Sequence, residues 1–350
     1  MPKKHADVSV GTVSSIELEN LEGIGDATIE KLKTIGIHTV EALAFTTEKE
    51  LEQVGILKVA PKIIEQAKDS ILKQSYIHAD ELMRQRLNVR KLTTGSQSLD
   101  AKFKGGYETQ NITEVAAEFG GGKTQLAFTA AVCVQQPEGS GGLNGGVLFV
   151  DSEETFKPER IAEIATARGL DAEKILKGIV YAPAYNSDHQ MLILQKADEQ
   201  IKQNNIKLIV VDSVMAHFRN EYLGREELAT RQGKLNQHLH QILRLARAFN
   251  AVAFITNQVT ANPSGNPYAP QWFAAGGNIM GHVSGLRLQI RKAGANKRIA
   301  TITDSSWLPY GEATFVLNEK GIDEVPESEE EKKKRESAEK KAAEEKKKSE

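Results

Sequence analysis

Two adjacent residues, Lys123 and Thr124, set the chemistry open to this chain, because they follow three glycines in Glu118-Phe119-Gly120-Gly121-Gly122-Lys123-Thr124-Gln125. Backbone N–H groups from Gly120 to Thr124, turned inward at the start of a helix, would chelate the β-phosphate of a nucleotide. Lys123 would neutralise the β- and γ-phosphates, and the Thr124 hydroxyl would complete a Mg²⁺ shell. ATP and Mg²⁺ are therefore the expected cofactors. The first position of the G-x-x-x-x-G-K-[ST] pattern is Ala117 rather than Gly. Alanine at positive φ would cost roughly 1–2 kcal/mol. Taken alone, the segment also reads as a glycine turn that binds no nucleotide.

A second carboxylate-bearing element changes that balance. Ile206-Lys-Leu-Ile-Val-Val-Asp212-Ser213 is an apolar run ending in an acid. At the carboxyl edge of a parallel sheet, Asp212 would hold Mg²⁺-bound water as an outer ligand. The competing reading is a strand-ending Asp that caps the next turn. Val147-Leu-Phe-Val-Asp151-Ser-Glu153 places Glu153 just past another strand tip, where it would activate the attacking water. Ala253-Phe-Ile-Thr256-Asn257-Gln258 ends a third strand in two amides able to sense a γ-phosphate. Each is an ordinary polar strand end in isolation; together they converge as ligand sites do in doubly wound sheets.

The elements that must position these groups follow an α/β grammar from about residue 93. Short β-branched runs alternate with helical periods, predicting strands at 111–115, 147–151, 179–181, 208–212 and 252–256. Three more, at 286–291, 298–303 and 313–317, come without long helices between them and predict an antiparallel extension. Before this core, residues 18–72 carry short helical periods punctuated by Gly23, Gly25, Gly36 and Gly55, a bundle of four or five helices. Residues 73–92 read as a charged linker and 1–17 as a flexible arm. From 327 to 350 there are nine Glu, nine Lys or Arg and six small residues, a tail (326–350) that cannot bury a core.

Two regions after strand tips carry groups suited to a polyanion. Arg219, Arg225 and Arg231 recur at spacings of six; residues 259–277 hold Pro263, Gly265, Pro267 and Pro270 with Trp272 and Phe273, too broken for a strand or helix. Arginines pairing phosphates and aromatics stacking on bases would hold a single strand without sequence preference. The alternative is a solvated arginine face with Trp272 packed on its own domain. Net charge argues against a polyanion partner: 45 Lys and Arg oppose 47 Asp and Glu. The single Cys133 excludes an internal disulfide framework and fits a reducing compartment. No long apolar run or signal-peptide pattern is present, so the expectation is a cytoplasmic protein with no membrane partner.

Ile112-Thr-Glu-Val, Glu118-Phe-Gly-Gly-Gly-Lys-Thr-Gln, Phe156-Lys-Pro-Glu-Arg-Ile, Leu228-Ala-Thr-Arg-Gln, Thr256-Asn-Gln-Val and Gly276-Gly-Asn-Ile-Met-Gly-His282 resemble the archaeal RadA branch of the RecA-type recombinases, over about residues 18–325. The resemblance implies a RecA-like ATPase core (93–325) behind a helix-hairpin-helix domain. It further implies a helical filament on single-stranded DNA that uses ATP for homologous pairing and strand exchange.

By resemblance, Lys123 and Thr124 serve phosphate and metal, Asp212 the metal's second shell, and Glu153 the water. Gln258 couples γ-phosphate to the DNA loop that follows it, and Arg160 lies near adenine. Asp304 and Pro309 cap the neighbouring subunit's nucleotide. The usual loop reads G-E-F-G-S-G-K-T, so Ala117 and Gly121 both depart from it. Arg219, Arg225, Arg231, Trp272 and Phe273 fall in DNA-binding loops, while Gly23 and Gly25 sit in a hairpin facing duplex phosphates. Tyr76 and Ala79 match an aromatic-x-x-Ala element that docks on the next subunit, so the chain would self-associate head to tail as a filament or ring. Mediator proteins are further possible partners. The competing function is a regulatory DNA-binding paralogue without strand exchange.

Overall fold

Runs rich in Val, Ile and Leu form the strands of one large sheet, and the described residues of the glycine-punctuated segment before them form helices and turns. The structure, a computed structural model, describes residues 18, 21, 24–35, 37, 40–44, 46, 48–52, 54–56, 58–261 and 272–326. The arm at 1–17, Gly23, Gly36, the loop residues Pro263, Gly265, Pro267 and Pro270, and the tail from 327 lie outside them. The chain divides into two compact units, Met1–Arg86 and Leu87–Glu350.

The first unit contains α1 (Asp26–Thr34), α2 (Val40–Ala44), α3 (Glu48–Glu52), α4 (Ala60–Ser75) and α5 (Ala79–Gln85). Leu32, Val40, Leu43, Leu51, Ala60 and Ile63 close its core. α5 lies within the segment read as a linker, and it buries no residue.

In the second unit β1 (Lys91–Leu92) and β2 (Tyr107–Glu108) pair beside α6 (Gln97–Lys102). There follow β3 (Asn111–Ala117), α7 (Lys123–Cys133), β4 (Gly146–Asp151), α8 (Pro158–Ala167), α9 (Ala172–Lys177) and β5 (Ile179–Pro183). Next come α10 (Ser187–Gln195), α11 (Ala197–Gln203), β6 (Ile206–Asp212), α12 (Ala216–Glu221), α13 (Leu228–Ala248) and β7 (Val252–Ala261). The chain continues through β8 (Trp272–Ala274), α14 (Asn278–Val283), β9 (Leu286–Lys292), β10 (Lys297–Ser305), β11 (Gly311–Asn318) and β12 (Gly321–Asp323).

The strand order is β12-β11-β10-β9-β3-β7-β6-β4-β5, with β8 paired to β7. From β9 to β5 every neighbour is parallel; β10, β11 and β12 add antiparallel strands. Only part of the predicted extension is antiparallel throughout, since β9 joins β3 in parallel and turns antiparallel at β10.

Helices cover both faces of the sheet, so its central strands alternate between two apolar cores rather than between core and water. Val147 and Phe149 of β4, Leu208 and Val210 of β6, and Phe254 of β7 pack on one side with Phe128 of α7. Leu148, Val150, Ile209, Val211 and Ile255 pack on the other with Leu235, Leu239 and Ile242 of α13. Truncating a ring such as Phe149 to Ala would cost about 3–5 kcal/mol. That rigidity holds the tips of β3, β4, β6 and β7 in fixed register: Asp151 lies opposite Asp212, and Ala117 opposite Gln258.

Candidate active site

The glycine loop leaves the tip of β3 and enters α7. Gly122 takes φ +107° at the helix N-cap, a conformation that favours glycine, and Leu126 N–H donates back to its carbonyl at 3.1 Å. Lys123 Nζ donates to the carbonyls of Ala117 (3.1 Å) and Glu118 (3.3 Å). Burial lowers the pKa of the Lys123 ammonium, while Asp212 and Glu153 oppose the shift.

Ala117 is a strand residue without positive φ, so the alanine carries no left-handed strain. Its methyl also accounts for the second departure. A Cβ built on Gly121 would stand 2.6 Å from Ala117 Cβ, closer than real Cβ contacts come, and a tight 3.0 Å from the Glu118 carbonyl oxygen. The two unusual residues therefore fit as a pair, one methyl occupying the space a side chain at 121 would need.

Thr124 Oγ1 donates to Asp212 Oδ2 at 2.8 Å, and the Thr256 hydroxyl donates to Asp212 Oδ1. Burial raises the pKa of Asp212, against the lowering effect of both hydroxyls. A threonine hydroxyl and a carboxylate are hard oxygen donors that fit Mg²⁺, which takes few protein ligands and completes its shell with phosphate and water. Ser213 Oγ, next to Asp212, is buried without a partner among the described residues, a further oxygen at that point.

Glu153 and Gln258 meet across the tips of β4 and β7. Gln258 Nε2 donates to Glu153 Oε1 at 2.8 Å, and Gln258 Oε1 accepts from Arg219 Nη1 at 2.9 Å. Arg219, read from the sequence as a DNA contact, thus reaches the nucleotide side through Gln258. Asn257, read beside Gln258 as a phosphate sensor, is fully buried with its amide committed to Glu114 and the Ala275 carbonyl, which leaves Gln258 to face the site.

Sequence reasoning passed over Asp151. Its carboxylate accepts from the backbone N–H of Glu153 (3.2 Å), Thr155 (3.3 Å) and Phe156 (2.9 Å), fixing the turn that presents Glu153. The available signal was an acid closing an apolar strand two residues before a second acid. Arg298 was also missed: it is buried, and its Nε donates to the Gly121 carbonyl at 3.1 Å.

Other predicted residues take varied places. Arg160 Nε donates to Gln125 Oε1 at 3.0 Å, and its Nη2 donates to the Asn318 carbonyl in the β11–β12 turn. Phe119 is 99% exposed at the loop's crest beside exposed Glu118. Arg225 is exposed between α12 and α13, and Arg231 is half-buried on α13. Trp272 and Phe273 lie opposite Ala261 and Thr260 in the β7–β8 pairing. Asp304, in β10, and Pro309 are exposed. In the first unit, Gly25 is the N-cap of α1, and Tyr76 (80% exposed) and exposed Ala79 flank the start of α5. The structure thus gathers Lys123, Thr124, Asp212, Glu153, Gln258 and Arg219. Among the described residues no hydrogen bond joins Arg225, Asp304 or Pro309 to that group.

A phosphate-type loop from a central parallel strand, an acid at a neighbouring tip and a glutamate at a third define a RecA-like P-loop ATPase. Residues 85–325 match the family described as Rad51, and the chain belongs to that family of ATP-dependent recombinases. It is 44% identical over 311 residues to the DNA repair and recombination protein RadA of Aeropyrum pernix, covering 87% of this chain and 96% of that protein. The RadA protein of Cenarchaeum symbiosum is 42% identical over 325 residues, or 90% of this chain and 81% of that one. No helix among the described residues is long and apolar enough to cross a membrane.

Proposed function

We propose that this chain polymerises head to tail on single-stranded DNA, engages homologous duplex, and couples Mg²⁺·ATP turnover to strand exchange in DNA repair. Lys123 and the amides of Gly120, Gly121 and Gly122 hold the triphosphate, and Thr124 with Asp212 holds the metal. When bound, the metal neutralises charge on the β- and γ-phosphates. Glu153 orients the attacking water and takes its proton.

Arg225, Arg231, Trp272 and Phe273 contact the single strand, and Gly23 and Gly25 present amides to duplex phosphates. Tyr76 and Ala79 seat on the next subunit, whose nucleotide Asp304 and Pro309 cover, and Arg160 flanks the base. Such a protein would associate with the nucleoid.

The observation that supports this reading most is the hydrogen-bond chain from Arg219 through Gln258 to Glu153, because it joins a candidate DNA region to the candidate base. ATP hydrolysis measured with and without single-stranded DNA tests it. Glu153→Gln should abolish turnover while ATP binding persists; hydrolysis that survives the change would remove Glu153 from its role.

A further inference from the structure

Glu114 of β3 is buried, only 1% exposed, three residues before the strand ends at the phosphate loop, and it takes no part in the steps above. Its Oε2 accepts from Arg287 Nε at 2.6 Å, and its Oε1 accepts from Asn257 Nδ2 at 2.7 Å. The strand register sets this up, since Glu114 lies directly opposite Arg287 of β9 and Ile255 of β7, two residues before Asn257 on the same face.

Each partner leads to a different candidate site. Asn257 also donates to the Ala275 carbonyl at 2.7 Å and accepts from Gln258 N–H at 2.8 Å, while Ala275 N–H donates to the Gln258 carbonyl at 2.8 Å. Both roots of the β7–β8 pair, at Gln258 on the outgoing strand and Ala275 after the returning one, are therefore tied to Glu114 through Asn257. On the other side Arg287 lies opposite Asp304 across β9 and β10, and Thr303 Oγ1 donates to its carbonyl at 3.2 Å. A Cβ on Gly281 of α14 would meet Arg287 Nη1 at 3.1 Å, so the guanidinium is also closely packed against that helix.

A carboxylate sunk between two apolar layers is expensive to desolvate, and an apolar residue of like volume would pack there at less cost. Its two oriented contacts do what an apolar residue could not, fixing the loop roots against β9. We propose that Glu114, paired with Arg287 and Asn257, is a positioning residue that sets the roots of the second DNA loop relative to the strand carrying Asp304. Through it, DNA occupancy of the loop is felt at the nucleotide sites. The proposal rests on the DNA-dependent ATPase reading above.

The test uses the full chain and measures ATP hydrolysis without DNA and over a titration of an oligo(dT) single strand. Glu114→Gln removes the charge that Arg287 requires; Asn257→Ser leaves the ion pair intact and loosens only the loop roots. In both variants the DNA-free rate should persist, while the oligonucleotide concentration giving half-maximal stimulation rises about tenfold, in the range of site-to-site coupling. DNA-free and stimulated rates falling by the same factor, or neither moving, would overturn the proposal by leaving the cluster a purely structural one. Should Glu114→Gln fail to fold, Asn257→Ser decides on the same readout. A parent chain that oligo(dT) does not stimulate would overturn the underlying reading and this proposal with it.

Discussion

Thr124 and Asp212 stand 88 residues apart in sequence and are joined by one hydrogen bond of 2.8 Å, from Oγ1 to Oδ2. The contact depends on the first turn of α7 springing from β3 while Asp212 closes β6, two strands away in the sheet with β7 between them. Thr124→Val keeps the shape and removes the oxygen. Hydrolysis should fall about a hundredfold, the scale seen for removal of one preorganised polar group at a reacting phosphate or acyl centre, and Thr124→Ser should restore most of it. Single-turnover hydrolysis at saturating ATP checks both.

The methyl of Ala117 and the bare Cα of Gly121 share one space. Gly121→Ser, which alone would bring the loop toward the usual family text, should weaken ATP binding because the new side chain meets Ala117. Ala117→Gly should be mild alone and should rescue the serine. The coupling in a double-mutant cycle should exceed about 1 kcal/mol, as for overpacked neighbours in contact. Calorimetric ATP titration of the four proteins measures it, and additive effects would show that the two departures are independent.

Arg219 and Arg225 should separate by phenotype. Arg225 is exposed, so Arg225→Ala should weaken single-stranded DNA binding and reduce its salt slope by about 0.7, the share of one phosphate contact, with ATP binding kept. Arg219→Ala also releases Gln258, so it should lower ATP turnover even without DNA. Fluorescence anisotropy across a salt series, beside DNA-free hydrolysis, distinguishes the two.

His238 supplies a pH dependence. It is buried on α13, its Nε2 lies 2.9 Å from Gln190 Nε2, and burial pushes its pKa down from 6.5 to about 4. Between those values the unfolded chain binds a proton that the folded chain refuses, so stability falls as pH drops from about 6.5 toward 4. The full effect is about 3 kcal/mol. Urea midpoints measured across that window should fall less steeply in His238→Gln.

The strands were legible because apolar β-branched runs end in acids or amides at three places and in a glycine loop at a fourth; Asp212, Glu153 and Gln258 stand at or just past those three ends, and Lys123 follows the loop. Periodicity, however, gives neither strand neighbours nor side-chain partners. Arg219 looked like one of three equivalent arginines until the fold set it against Gln258, and Asn257 looked equivalent to Gln258 until strand alternation sent it to the opposite side. Arg298 and Glu114 read as ordinary charges, since burial of a charge is decided by residues far away in sequence. The balanced net charge, which argued against a DNA partner, is a whole-chain sum and is silent on where exposed arginines such as Arg225 lie.

The central claim is that the cluster of Lys123, Thr124, Asp212, Glu153 and Gln258 is an ATPase driven by DNA and used for strand exchange. It is tested most directly by incubating the chain with ATP, Mg²⁺, single-stranded DNA and homologous duplex, and following ATP hydrolysis and joint-molecule formation in the same reaction. Hydrolysis stimulated by the single strand, with joint molecules that require homology and vanish in Glu153→Gln or Thr124→Val, is the predicted result. Stimulated hydrolysis without joint molecules would contradict it and mark the chain as a regulatory paralogue.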